Sequence, residues 1–287
     1  MQSTSAPVAA PRSISSLTIS KLTPTIGAEI LDIDLSQPLS APDVAAIRQA
    51  LLDNLVVFFR EQTLTPDQHK HFARQFAKIY IHPSVKGNVP GHPELMEMRA
   101  DENSKKGAVA EVWHSDSTAD VNPPWGSILY MHEVPSNGGG DTLFANMYAA
   151  YEALSEPMKR MLEGLNAVHD SQHLYKGNPN AAAIQRERAP ATEHPIVKTH
   201  PETGRKLLFV NAVYCSHIVG VSELESATLL DMLYRHIENP MFHCRFKWRT
   251  GSIAFWDNRA CQHRAIWDFY PLRRRAQRVT ICDDPPL

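Results

Sequence analysis

The chain predicts a mainly β fold with flanking helices, a β-sandwich or jelly roll covered on one side. Three observations carry that expectation. From about residue 94 onward the apolar runs are short and rich in β-branched and aromatic residues. Gly-Asp and Pro-Asn turns separate them, and neither a repeat nor a charged linker divides the chain.

Taken in order, residues 1–16 are rich in Ser, Pro and Ala and lack a cationic start followed by an apolar core. They read as a flexible tail and not as a signal peptide, which leaves 17–287 as a single catalytic domain. "LTISKLTPTIGAEILDIDL" gives short strands broken at Pro24 and Gly27. "SAPDVAAIRQALLDN" gives a helix, with Ser40 as cap, Pro42 and Asp43 in the first turn, and Val44, Ile47 and Leu51 on one face. "LVVFF" is a buried strand, and "TPDQHKHFARQFAK" starts a second helix at Thr65, with Phe72 and Phe76 four apart. Strands follow in "ELMEMRA", "VWHSD", "GSILYMHEV", "DTLFANM", "KLLFVN", "FHCRFKWRTGSIAFWDN" and "RAQRVTIC". Two helices interrupt them, "MYAAYEALSEPMKRMLEGL" and "SELESATLLDMLYRHIEN". The stretch from about 83 to 110 and "KGNPNAAAIQRERAP" are expected to form a lid.

The bulk numbers narrow the function. The chain has 287 residues and a net charge of −2, so no global field favours nucleic acid or an anionic membrane. No apolar run approaches the ~18 residues of a membrane span. Cys215, Cys244, Cys261 and Cys282 show no CxxC spacing, which argues against a zinc ribbon or a disulfide scaffold and for reduced thiols in the cytoplasm.

In "EVWHSDSTAD", His114 and Asp116 stand two apart. On an extended segment, residues i and i+2 project from one face, so both can reach one ion while Ser115 points away. Two histidines and a carboxylate form the facial ligand set of non-haem iron oxygenases. The pair alone is equally a polar strand edge, and "HPE" at 92–94 and 200–202 repeats the pattern in turn-like surroundings. "HKH" is a decoy, because His69 and His71 point about 200° apart on a helix. The distal segment "GSIAFWDNRACQHRAIWDFYPLRRRAQRVTI" adds His263 and, on the following strand, Arg274 and Arg278 on one face. Two guanidiniums aimed into a barrel need anionic partners, which small-molecule carboxylates or sulfonates would supply. The alternative, a solvated basic edge, suits Arg273 and Arg275 better.

"WHSD", "GGDTLFANMYAAYEAL" and "WDNRACQHRAIWDFYPLRRRAQRVTI" together closely resemble the taurine dioxygenase family of Fe(II)- and 2-oxoglutarate-dependent oxygenases, from "LTPTIGAEI" to the C-terminus. The resemblance implies a double-stranded β-helix, the cupin-like jelly roll. It implies His114, Asp116 and His263 as iron ligands and 2-oxoglutarate chelated through its C1 carboxylate and keto oxygen. The far carboxylate would meet Arg274 and the Thr142 hydroxyl, and dioxygen would take the remaining site. Arg278 falls where the family grips an anionic substrate head, His82 near the substrate, and Tyr175 and Tyr214 where relatives carry aromatic pocket walls, with core packing as the alternative for either tyrosine.

The pattern departs from taurine dioxygenases at Val85 and Ala110, where hydrogen-bonding residues are missing. That favours a larger, more apolar acid, an aryloxyalkanoate, alkyl sulfate or sulfonate, over taurine itself. The partner is thus a small anionic molecule, with no nucleic acid or membrane, and the family pattern implies a homo-oligomer, dimer or tetramer. Two other readings compete. A non-catalytic metal-binding jelly roll would need neither Arg274 nor Thr142, and a zinc hydrolase would need a general base that no HExxH-type helix supplies.

Overall fold

The computed structural model describes residues 17–81, 88–104, 110–172 and 191–283. The expected tail, His82, Val85 and Tyr175 lie outside the described residues, as do 83–87 and 105–109 of the first lid stretch and all of the second. Within the first lid stretch, however, Met96–Ala100 is a strand that pairs with Arg274–Arg278.

The main sheet has the strands Val56–Phe59, Ile253–Asp257, Gly126–Glu133 and Arg274–Cys282 at its centre, all antiparallel to their neighbours in that row. The hairpin Thr18–Lys21 and Ala28–Leu31 extends one edge through a parallel pairing with Val56–Phe59. A second sheet of His243–Phe246, Thr142–Asn146 and Cys261–Ala265 closes the roll. Further β-structure comes from Cys215–Ile218, Asn166–His169 and Thr192–Pro195, and from the ribbon Val197–Thr199 with Lys206–Leu208.

The centre of the main sheet is buried on both faces, and its period of two sorts the residues. Phe58, Leu129, Trp256 and Ala276 face the second sheet and join Phe144 and Phe246 in one core. Phe58 stacks on Phe246 across the layers with ring centroids 3.8 Å apart. Val57, Phe59, Ile128, Phe255, Val279 and Ile281 face the other way, against Ile47, Leu51 and Phe72 of the two covering helices. Truncating a ring such as Phe58 in this core costs about 3–5 kcal/mol.

Local signals explain the helices. Ala41–Asn54 starts in a reciprocal capping box between Ser40 and Asp43, and Pro66–Arg74 starts in one between Thr65 and Gln68. Glu223–Ile237 opens on Ser222 with Glu225 in the same arrangement. The expected single helix after residue 147 is two, Met147–Glu152 and Glu156–Leu162. Ser155 caps the second and Pro157 sits in its first turn, where a ring without an N–H would break a continuous helix. "VWHSD" is not a strand either, since His114 makes one bridge, to His263, and the chain turns at Asp116.

Two buried histidines away from the metal ligands make stability depend on pH. Burial holds both His69 and His169 down to about 3. Below the ordinary value of ~6.5 the unfolded chain takes up protons that the folded chain refuses. Stability is therefore complete above about pH 6.5 and falls as the pH drops toward 3. Each histidine contributes about 1.4 kcal/mol per pH unit in that window, so these two remove about 3 kcal/mol between pH 7.5 and 5.5. Urea midpoints at the two pH values measure the loss, which His69→Phe should reduce.

Candidate metal centre and cosubstrate pocket

The two sheets bring together what the sequence keeps apart. His263 sits in the Cys261–Ala265 strand, opposite Phe144, and its backbone exchanges hydrogen bonds with His114: His114 N–H donates to His263 O at 3.1 Å and His263 N–H to His114 O at 2.8 Å. That bridge aligns the imidazoles with ring centroids 4.2 Å apart. One donor atom from each of His114, Asp116 and His263 lies within 4.8 Å of the others, and all three side chains are buried. Ser115 turns the opposite way and donates to Cys261 O at 3.0 Å. His69 and His71 diverge, one buried and the other exposed, and the two "HPE" segments are turns.

Their protonation suits a cation. His114 Nδ1 lies 2.7 Å from Val112 O, so it carries the proton and Nε2 keeps its lone pair. Burial lowers His114 and takes His263 to about 3, which keeps both imidazoles neutral. Burial opposes the charge on Asp116, but the Arg278 guanidinium, the two neighbouring imidazoles and the Ser127 hydroxyl together hold the carboxyl below its ordinary range. Two neutral imidazoles and an ionised carboxylate bind a divalent metal without displacing a proton, so the residues present fit a ferrous ion.

Asp116 is oriented by residues that the sequence reading passed over. Ser127 Oγ donates to Asp116 Oδ2 at 3.0 Å, Asn258 Nδ2 donates to Ser127 Oγ at 3.0 Å, and Trp256 Nε1 donates to Asn258 Oδ1 at 2.8 Å. Oδ1 faces His263 Nε2, 3.9 Å away, and accepts from Arg278 Nη1 at 2.6 Å. The available signal was Ser127, a polar residue sharing the inward parity of Leu129 in an otherwise apolar strand. Asn258→Ala should weaken iron binding by about 10–100-fold, as loss of an outer partner does, while the fold survives. Iron retained after dialysis against graded chelator, with circular dichroism as control, measures it.

A cavity of about 390 Å³ opens on the two histidines. Arg274 and Arg278 both line it, as their shared parity with inward-facing Ala276 requires. Arg275 points elsewhere, to Glu97 at 3.3 Å, and Arg273 is exposed. Arg274 Nε donates to Gly140 O at 3.1 Å, and burial lowers its guanidinium to about 10. No described carboxylate pairs with it. The "GGDT" turn explains the fit: Gly140 has φ +81°, and an added Cβ would come within 3.0 Å of Arg274 Cδ. Thr142 Oγ1 accepts from Trp248 Nε1 at 3.0 Å, so its own proton is free to be donated to an anion.

Arg278 differs from the expectation of a guanidinium needing an outside partner. Its Nη1 lies 2.6 Å from Asp116 Oδ1, while among the described residues Nη2 has only Met96 Sδ, at 3.7 Å. Tyr214 is buried with Ala119 and Val213, and its hydroxyl accepts from Ser117 N–H at 3.3 Å. Ala110 does line the cavity, beside Met98, Leu129, Trp267 and Phe269, so this wall is apolar.

A jelly roll with a His-Asp-His cluster and a half-buried arginine lining the same cavity defines a non-haem iron oxygenase of the 2-oxoglutarate-dependent class. More narrowly, the chain belongs to the taurine catabolism dioxygenase TauD, TfdA family, whose model matches residues 18–280. It is 37% identical to an alkylsulfatase of Acinetobacter baylyi, over 93% of this chain and 86% of that one. It is 35% identical to an alpha-ketoglutarate-dependent sulfate ester dioxygenase of Pseudomonas putida, over 91% and 88%. The crystal structure of a taurine dioxygenase from Burkholderia xenovorans superposes with a TM-score of 0.80 at 40% identity, covering 94% of this chain and 92% of that one. The chain is an oxidoreductase that uses Fe(II), 2-oxoglutarate and dioxygen on a small molecule.

Proposed function

We propose that the chain oxidises apolar sulfate esters, hydroxylating the carbon that bears the sulfate. The observation that carries this reading is a cavity lined by both ligand histidines, Arg278, Arg274 and Thr142, with apolar surface from Met98, Leu129, Trp267 and Phe269, while its other charged residues, Glu97 and Arg99, pair with Arg275 and Asp101. In this reading His114, Asp116 and His263 hold iron. Arg274 and the Thr142 hydroxyl receive the far carboxylate of 2-oxoglutarate, where a planar fork and a hydroxyl donor bind an oxyanion well. When bound, iron and 2-oxoglutarate activate dioxygen and supply the hydroxylating power, releasing succinate and CO2.

Arg278 then takes the substrate's sulfate. Because its Nη1 already reaches the ligand carboxylate, an anion on its remaining nitrogens sits next to the reacting centre, and the carbon attached to the head group is the one presented. The alkyl or aryl body lies along Leu129, Met98, Trp267 and Phe269, away from water. Hydroxylation gives a 1-hydroxyalkyl sulfate. Its hydroxyl loses a proton, a carbonyl forms, and the C–O bond to sulfate breaks with the electron pair leaving on sulfate, so the products are an aldehyde and free sulfate. The apolar residue Ala110 leaves little to recognise the amine of taurine. Two relatives named for sulfate esters support the same class.

Succinate release across alkyl sulfates, alkyl sulfonates, aryloxyacetates and taurine tests the reading. Hexyl or octyl sulfate should exceed taurine in kcat/KM by at least about a hundredfold, since each buried methylene contributes ~0.8 kcal/mol. Turnover of taurine or an aryloxyacetate above every sulfate ester would refute it.

The same reading makes residues 17–287 one catalytic unit in a cytoplasmic homo-oligomer, dimer or tetramer. Four buried free cysteines and a charge of −2 support the compartment and the lack of nucleic-acid and membrane partners. Among the described residues no helix is long and apolar enough to cross a membrane.

A further inference from the structure

A second cavity, of about 500 Å³, lies between the 121–125 loop and the Val197–Thr199 and Lys206–Leu208 ribbon, and shares no lining residue with the first. Trp125, Leu207 and Phe209 give it an apolar, aromatic lining. Its charged groups are satisfied with one exception. Arg259 Nη2 pairs with Asp257 Oδ2 at 2.6 Å and Nη1 with Glu202 Oε1 at 2.7 Å. His200 Nε2 lies 3.0 Å from the same Asp257 oxygen, and Asp283 Oδ1 accepts from Trp125 Nε1 at 3.1 Å.

Lys198 is the exception. No described carboxylate pairs with it. Its Nζ donates to His194 Nδ1 at 3.1 Å and stands 3.7 Å from the centroid of the Phe209 ring. His194 is no counterion: Nε2 is committed to Asp120 O at 3.0 Å, and burial, then Lys198, hold the imidazole neutral down to about 4. Burial likewise pulls the Lys198 amine to about 8, so most of it is still charged at neutral pH. A cation fixed by a neutral imidazole over an aromatic face, on the wall of a cavity of ligand size, lacks only its anion.

We propose that this cavity is a second binding site, for a small amphipathic anion whose single carboxylate, sulfate or sulfonate meets Lys198 and whose apolar body lies along Phe209, Leu207 and Trp125. The site is not remote from the chemistry. Asn258 lines it and also orients Asp116 through Ser127, while Lys198 reaches the metal-bearing loop through His194 and the Asp120 carbonyl.

The test is calorimetric titration of 1-naphthalenesulfonate into enzyme loaded with Fe(II) and 2-oxoglutarate without oxygen. Lys198→Met removes a charge-assisted contact and should weaken this site at least about tenfold, while Lys198→Arg retains it. Arg278→Ala should leave it unchanged. Undiminished binding by Lys198→Met, or loss confined to Arg278→Ala, would place the probe in the first cavity or elsewhere and overturn the proposal. Trinitrobenzenesulfonate labelling of the unaltered enzyme gives an answer independent of variant folding. Lys198 should be modified, and saturating 1-naphthalenesulfonate should protect it; modification without protection equally overturns the proposal.

Discussion

Replacing His263 with alanine should abolish iron retention and with it all succinate formation. The side chain supplies one of three donors that lie within 4.8 Å of one another, and its loss leaves an imidazole and a carboxylate that cannot define a facial set. Removing an outer partner costs about 10–100-fold in metal affinity, so removing a ligand costs more than a hundredfold. Folding should persist, because the bridge to His114 is made by backbone atoms and the Cβ remains. Anaerobic equilibrium dialysis measures retained iron, and the visible band that 2-oxoglutarate produces on Fe(II) should vanish as well. A folded His263→Ala protein with normal iron content would remove His263 from the site.

Much of this centre was legible because its information is local or periodic. Ser40, Thr65 and Ser222 mark helix starts by the same side-chain-to-backbone bond that forms them. Parity along one strand puts Arg274 and Arg278 with Ala276 on the inner face and Val279 and Ile281 under the helices. The His114 and Asp116 spacing works even though the segment is a loop, since one bridge to His263 holds it extended up to the turn.

What escaped depends on neighbours distant in sequence. The Ser127, Asn258 and Trp256 chain that orients Asp116 joins a strand to a turn 131 residues away at its longest step. The contact between Arg278 and Asp116 spans 162 residues. No periodicity encodes either, because each exists only once the two sheets close. The break at Ser155–Pro157 was local and readable. There the amphipathic pattern continues across a proline, and proline chemistry wins over the apolar spacing.

Arg274→Ala should raise the 2-oxoglutarate requirement by about 30-fold or more, whereas Arg278→Ala should act on the prime substrate. The two guanidiniums line one cavity but differ in what they already hold. Among the described residues Arg274 gives only Nε, to Gly140 O, which leaves its terminal nitrogens and the Thr142 proton for a carboxylate. Truncating one partner of a buried charge pair costs about 2–5 kcal/mol, roughly 30-fold to several thousandfold in affinity. Lysine at 274 should recover only part of it, since a point charge cannot make the paired contact of a planar fork. Arg278 is bound to Asp116, so its removal also withdraws a charge that helps keep that carboxyl ionised. Arg278→Ala should therefore raise substrate KM and weaken iron modestly while leaving 2-oxoglutarate binding intact at saturating Fe(II). Anaerobic titration of 2-oxoglutarate by its visible band separates these effects from turnover. Equal, small changes in both constants for both variants would contradict the division of labour.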